Sequence, residues 1–101
     1  MNTFNNIASK SLGRGNYQTA RKYYCKSLDI LDQIKGKDSL DSVAIHKELG
    51  SIYKYQENYQ DANKEYQKCL AILEQIKGKD SVERADILCD LGHLHFLQEH
   101  D

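Results

Sequence analysis

The chain repeats itself at a fixed interval. The segment Ile34-Lys-Gly-Lys-Asp-Ser39 recurs as Ile76-Lys-Gly-Lys-Asp-Ser81, displaced by 42 residues. Carried backwards, this register aligns Asn16–Ser39 with Asn58–Ser81, and 17 of those 24 positions are identical, which is too many for coincidence. Carried forwards, it sets Leu49-Gly50 against Leu91-Gly92 and enters a third copy before Asp101. A period of this size belongs to stacked supersecondary units, none of which can bury its apolar face alone. The 101 residues therefore hold two copies and a fraction: repeat units at 1–42 and 43–84, and the first helix of an incomplete third at 85–101.

Within each copy the apolar residues step by three or four. Tyr17, Ala20, Tyr24, Leu28 and Leu31 form one stripe and Tyr59, Ala62, Tyr66, Leu70 and Leu73 another, each on one side of a helix. With no proline and only six glycines, the chain reads as all-α. Helices are expected over 2–14, 17–35, 40–56, 59–77 and 82–99. Gly36 and Gly78 suit the position just past a helix C-terminus, where Lys35 and Lys77 complement the dipole. Asp38/Ser39 and Asp80/Ser81 offer caps for the helix that follows, and Asp80 with Glu83 has the spacing of a capping box.

Composition excludes several classes. No apolar run approaches the roughly 20 residues of a bilayer span. The opening Met1-Asn-Thr-Phe-Asn-Asn has neither the basic flank nor the apolar core of a secretory signal. Cys25, Cys69 and Cys89 cannot all pair within the chain and do not have the spacing of a disulfide framework or zinc ribbon, so reduced thiols and a cytoplasmic location are expected. Net charge is -1, yet residues 1–37 carry +5 and residues 80–101 carry -5. The molecule is basic at one end and acidic at the other.

Leu49-Gly50, Tyr53, Tyr59, Ala62, Tyr66, Leu70 and Ile72 resemble the tetratricopeptide repeat (TPR) pattern. The first copy matches it with Gly15, Tyr17, Ala20, Tyr24, Leu28 and Ile30, and the third with Leu88, Leu91 and Gly92. The resemblance implies an α-solenoid of about two and a half helix-turn-helix repeats, five helices in a right-handed superhelix. In physical terms, Ala20, Ala62, Gly50 and Gly92 let paired helices approach closely, while Tyr24, Tyr66, Tyr53 and Phe4 fill the space between neighbouring hairpins. The 42-residue spacing is similar to that of the kinesin-light-chain subfamily, whose long helix ends in a Gly-Lys-Asp segment followed by His-Pro. Here Gly36-Lys37-Asp38 and Gly78-Lys79-Asp80 are kept, but Ser-Leu and Ser-Val replace His-Pro. Thr3-Phe-Asn-Asn-Ile-Ala8 resembles that subfamily's first helix, in which paired asparagines line a peptide groove. Lys10 and Ser11 stand where the second copy has Ile52 and Tyr53, so the first hairpin is expected to pack less well. At the other end, Ile87, Leu91, Leu94 and Leu97 are expected to have only one neighbouring helix to cover them.

The chemistry-bearing residues form no catalytic set. Cys89 and His93 lie four apart on one helix with Asp90 and His95 nearby, but two ligands do not make a zinc site, and His95 stands where Tyr53 stands one repeat earlier. Neither an orienting group nor an oxyanion donor accompanies a Cys-His pair, so no enzyme and no cofactor are expected. Five of the seven tyrosines, Tyr17, Tyr24, Tyr53, Tyr59 and Tyr66, are taken by the repeat's packing, leaving Tyr23 and Tyr55 as surface aromatics, and the pI near 6.4 argues against nucleic acid. Gly13-Arg-Gly15 lacks the rest of a phosphate loop and reads as a hairpin turn.

Stacked hairpins line a concave surface with the first helix of each pair. The resemblance places Asn5, Asn6, Ser9, Lys47, Glu48, Ser51, Lys54, Tyr55, Cys89, Asp90, His93 and Phe96 there. Asparagines at such positions hold an extended peptide's backbone, Lys47 and Lys54 favour acidic groups, and Asp86 and Asp90 favour basic ones. The expected function is a non-catalytic protein-interaction module holding a short peptide or helix of a partner, with no nucleic acid or membrane partner. The competing expectation is a self-assembly module using the exposed last helix, or part of a longer scaffold such as a kinesin-light-chain-like adaptor.

Overall fold

A serine or an asparagine opens each of the three internal helices. The structure, a computed structural model, describes residues 3–36 and 39–99, excepting the side chains of Thr3 and Asn5. Its helices are α1 (Thr3–Gly13), α2 (Tyr17–Ile34), α3 (Leu40–Tyr55), α4 (Tyr59–Lys77) and α5 (Val82–Glu99), and every described end falls within one residue of the sequence expectation. Ser39 caps α3 reciprocally: its hydroxyl accepts from the Ser42 amide at 3.2 Å, and the Ser42 hydroxyl accepts from the Ser39 amide at 3.3 Å. The capping box expected from Asp80 and Glu83 does not form. Because α5 begins at Val82, the cap is Ser81, whose hydroxyl accepts from the Arg84 amide at 3.2 Å, and Glu83 pairs instead with Lys77. Lys35 and Asp41 form the same pair one repeat earlier, so both loops between hairpins are clipped alike. Asp38 lies outside the described residues.

The turns within the hairpins are alike too. In the first, Gly15 has φ 77° and the Asn16 amide donates to the Ser11 carbonyl at 2.9 Å. In the second, Glu57 takes the equivalent place with φ 63°, and the Asn58 amide donates to the Tyr53 carbonyl at 2.8 Å. A side chain in this left-handed region is strained, so the second copy holds a glycine conformation without the glycine.

The helices stack in chain order, each packing chiefly on the one before and the one after. The molecule measures 38 × 34 × 18 Å, and the 18 Å thickness is that of two helix layers. Two cores fill it. One joins Ala8, Ala20, Tyr24, Ile45, Leu49 and Ile52 from α1, α2 and α3. The other joins Val43, Ala62, Tyr66, Cys69, Ile72, Leu73, Ile87, Leu91 and Leu94 from α3, α4 and α5. Tyr53 packs against both, with the Arg21 guanidinium 5.5 Å above its ring.

Three packing expectations are refined. Phe4 does not fill the space between hairpins but stacks on Tyr23 inside the first hairpin, with centroids 5.8 Å apart and the Lys26 ammonium over both rings. Ile87, Leu91, Leu94 and Leu97 do have α4 as their chief neighbour, yet α4 with Val43 of α3 suffices to bury the first three and Leu97 is half-buried; the large exposed apolar side chains of α5 are Val82, Leu88 and Phe96. Gly50 and Gly92 are not equivalent in packing. A Cβ on Gly50 would come within 2.7 Å of the Tyr66 ring, whereas one on Gly92 would meet nothing within 4 Å. Gly50 admits the aromatic ring of α4, and among the described residues no helix stands in that relation to α5.

These differences predict opposite outcomes for one substitution. Gly50→Ala is expected to lower stability by about 1–3 kcal/mol through overpacking against Tyr66. Gly92→Ala is expected to raise it by up to about 1 kcal/mol through helix propensity. Urea denaturation of both variants checks this, and a Gly50→Ala protein as stable as its parent contradicts it. Glu57→Gly is expected to stabilise by about 0.5–1 kcal/mol by relieving the left-handed strain, raising the melting temperature by a few degrees; a lowered melting temperature contradicts that.

Candidate functional site

Tyr66 carries the floor of the candidate groove. Its ring crosses Gly50, and its hydroxyl meets Ser51 Oγ at 3.3 Å, with Asp90 of α5 and Glu48 of α3 close enough to act on it electrostatically. Burial, more than either carboxylate, raises the phenol above its ordinary value. One repeat earlier the same set occurs. Tyr24 is buried, hydrogen-bonds Ser9 and lies near Glu48, and its phenol is also raised, first by burial. The positions 9, 24 and 48 become 51, 66 and 90 on adding the period. The groove floor thus repeats a serine, a tyrosine and a carboxylate.

Asp90 differs from its surroundings in one respect: its Oδ2 is buried and has no hydrogen-bond partner. Lys47 is half-buried, and its charge, with that of Asp90, reaches the Cys69 thiol. Cys69 is itself pushed up to about 12, chiefly by burial, and donates to the Val43 carbonyl at 3.4 Å. It is an inert packing thiol.

Between the N-terminal halves of α3 and α5 lies a cleft of about 260 Å³, lined by Leu40, Val43, Ala44 and Lys47 on one side, Glu83, Asp86 and Ile87 on the other, and Leu73 of α4. Sequence reading placed Lys47 and Asp86 here but missed the apolar floor. The signal was weak: Leu40 and Ala44 align with Val82 and Asp86 in the next copy, so the repeat does not mark them as one surface.

The predicted groove residues separate into three groups. Lys47, Ser51 and Asp90 gather around Tyr66 and Cys69. Ser9 sits at Tyr24, and Asn6 is exposed on the same helix, α1; the side chain of Asn5 lies outside the described residues. Lys54 and Tyr55 form the third group, at the C-terminal end of α3. Tyr55 stacks on Tyr17 of α2 with centroids 5.6 Å apart, and the Lys54 ammonium lies 5.4 Å from its ring. His93 is exposed on α5. Among the described residues, no three His, Cys, Asp or Glu side chains are grouped to hold a metal ion.

α3 is held against α4 by a pair the repeat does not show. His46 Nδ1 donates to Glu65 Oε1 at 2.8 Å, both side chains nearly buried, and the Lys68 ammonium lies 3.4 Å from the other oxygen. In the first copy these two positions are Phe4 and Tyr23. An aromatic stack and a charge-assisted hydrogen bond thus do the same work in successive hairpins.

The chain belongs to the tetratricopeptide repeat family, whose model matches residues 1–75 and again 41–101. Among the solved structures that share its fold is that of BtubC (BKLC) from P. vanneervenii, with a TM-score of 0.86 and 21% sequence identity over 94% of this chain and 37% of that one. The two share a tetratricopeptide repeat fold, and the chain spans little more than a third of that neighbour's length. No curated protein matches it. Tetratricopeptide repeats are non-catalytic modules that mediate contacts between proteins. No described helix is long and apolar enough to cross a membrane.

Burial alone would raise the Glu65 carboxyl, but the His46 hydrogen bond and the Lys68 charge outweigh it, and the group titrates below the usual carboxylate range. Its contribution to stability is therefore present above the ordinary carboxylate pKa and is lost as pH falls through the lowered one. Glu65→Gln is expected to cost about 1–2 kcal/mol at neutral pH, with the difference from the parent closing below about pH 4. Urea titrations across pH read this directly, and a deficit that does not change with pH contradicts it.

Proposed function

We propose that this chain is a protein-interaction module that holds a short segment of a partner in the groove along α1, α3 and α5. One observation carries the reading: the cleft between α3 and α5 has an apolar floor open beside Lys47 and Asp86, neither of which has an ion-pair partner among the described residues, a combination suited to a side chain arriving from another molecule. The repeated serine–tyrosine–carboxylate set supports it, since around each buried tyrosine the accessible Ser9 and Glu48, and one repeat on Ser51 and Asp90, offer polar groups at one-repeat intervals for a peptide backbone. Asn6, Lys47, Ser51, Asp90 and His93 are the assigned ligand residues, with Lys54 and Tyr55 at the edge. The repeat units are 1–42, 43–84 and 85–101. The setting assigned is cytoplasmic, supported by the free Cys25, Cys69 and Cys89.

A second reading, self-association through α5, is favoured by Leu88 and Phe96, 42% and 56% exposed, around the open space at Gly92. Its mark is assembly that depends on concentration and weakens with salt, because the basic beginning of one copy would face the acidic end of another. A chain that stays monomeric at high concentration and low salt in sedimentation equilibrium excludes it.

Peptides selected from a random phage-displayed library on the immobilised chain test the groove reading. The double variant Asn6→Ala/Lys47→Ala is expected to weaken the selected peptides about tenfold while leaving helicity intact, as loss of charged hydrogen bonds does. Unchanged affinity contradicts the reading. A peptide ending in acidic residues with a free carboxylate, of the kind chaperone-binding repeats hold, is expected not to bind, because Glu48, Asp86 and Asp90 oppose it.

A further inference from the structure

We propose that the cleft between α3 and α5 selects an extended peptide carrying a leucine-sized apolar side chain and, two residues away, a lysine or arginine. This rests on the groove reading above and gives it a ligand chemistry.

The apolar half of the specificity comes from the floor. Val43, Leu73 and Ile87 are buried and present only hydrocarbon, while Leu40 and Ala44 stay exposed on the α3 rim. A volume of about 260 Å³ accommodates one such side chain; a void of about 150 Å³ already holds a benzene ring. A polar side chain there would lose its water and gain no partner.

The charged half comes from the α5 wall. Glu83 is already paired with Lys77. Among the described residues, neither Asp86 nor Asp90 has an ion-pair partner within 4 Å, and the buried Oδ2 of Asp90 has no hydrogen-bond donor at all. Asp86 lines the cleft and is exposed, and Asp90 lies one turn beyond the lining and is partly exposed, so an ammonium or guanidinium arriving there meets carboxylates that no cation of the described residues neutralises. Asp86 and Asp90 lie one helical turn apart, about 6 Å along the axis. Side chains two residues apart on an extended chain point the same way and are about 6.6 Å apart. With the apolar side chain beside Asp86 and Ile87, its neighbour two places along reaches Asp90. Lys47 stands on the opposite wall, where its ammonium can donate to the ligand's carbonyls.

The experiment titrates the 101-residue chain with acetyl-Gly-Ser-Leu-Ser-Lys-Ser-Gly-amide, followed by ¹⁵N–¹H spectra. Shifts are expected at Leu40, Val43, Ala44, Asp86, Ile87 and Asp90. Replacing the probe's leucine with serine, or its lysine with glutamate, is expected to weaken binding about tenfold, the scale of one lost charge-assisted or buried contact. Asp86→Lys, at an exposed position, is expected to reverse the lysine-over-glutamate preference without changing the melting curve. Asp86→Asn/Asp90→Asn is expected to abolish that preference. A glutamate probe that binds the same residues as tightly overturns the charge assignment and leaves the groove reading standing. No shift at millimolar probe overturns the proposal, while the phage selection judges the groove independently. Shifts confined to the outer face of α5 or to α2 and α4, for these probes and the phage-selected peptides alike, overturn both.

Discussion

The close passage of Tyr66 over Gly50 sets the distance between α3 and α4, and much of the molecule follows from that distance. With no Cβ on Gly50, the ring lies where a methyl group would come within 2.7 Å. The ring is then wholly buried, so its hydroxyl emerges at the groove floor beside Ser51 rather than on the opposite surface. A close approach of this kind cannot be produced by hydrophobic attraction alone, because interiors pack like solids and a single extra methyl is felt. Ala8 and Tyr24 meet in the other core, where a small residue again admits a tyrosine. The groove is thus a consequence of how the hairpins pack and not a feature added to them.

The fold was legible because the repeat made each local reading twice. Gly15, Gly36 and Gly78 marked turns that do require positive φ, and the tyrosine stripes marked the faces that pack on the two cores, buried at Ala20, Tyr24, Ala62, Tyr66 and Leu73 and half-buried along the rest. The misreadings arose where the two copies differ. The second copy keeps the hairpin turn of Gly15 with Glu57, a residue no rule would have put there. Phe4 and Tyr23 could not be recognised as a pair from the second copy, because the same positions there are His46 and Glu65, which meet by a hydrogen bond. The capping box of α5 was misplaced by one residue, since aspartate and serine are adjacent there and either is a competent cap. Only the observed start of α5 at Val82 assigns the role to Ser81.

The groove was less legible, for a physical reason. A residue's place on a helix follows from its own sequence, but what it faces depends on the neighbouring helix and the twist between them. Lys54 and Tyr55 follow Lys47 and Ser51 along the same helix, yet the C-terminal end of α3 meets the start of α2, and Tyr55 is drawn onto Tyr17. The apolar cleft was invisible because its lining comes from three helices and only Leu73 lies on the repeat's stripe. The charge asymmetry read from the sequence has a local counterpart: the acidic C-terminal segment supplies Asp86 to the cleft and Asp90 one turn beyond it, neither with an ion-pair partner among the described residues, while the basic first copy uses Arg21 and Lys26 over aromatic rings.

Nuclear Overhauser contacts between the Gly50 Hα protons and the Tyr66 ring give the most direct measure of the packing on which the groove depends. The account predicts strong cross-peaks and a Gly50 Hα resonance displaced by the ring current. A Gly50 resonance at its random-coil position with no cross-peak to Tyr66 would contradict the stacked arrangement, and with it the surface on which a ligand is proposed to lie.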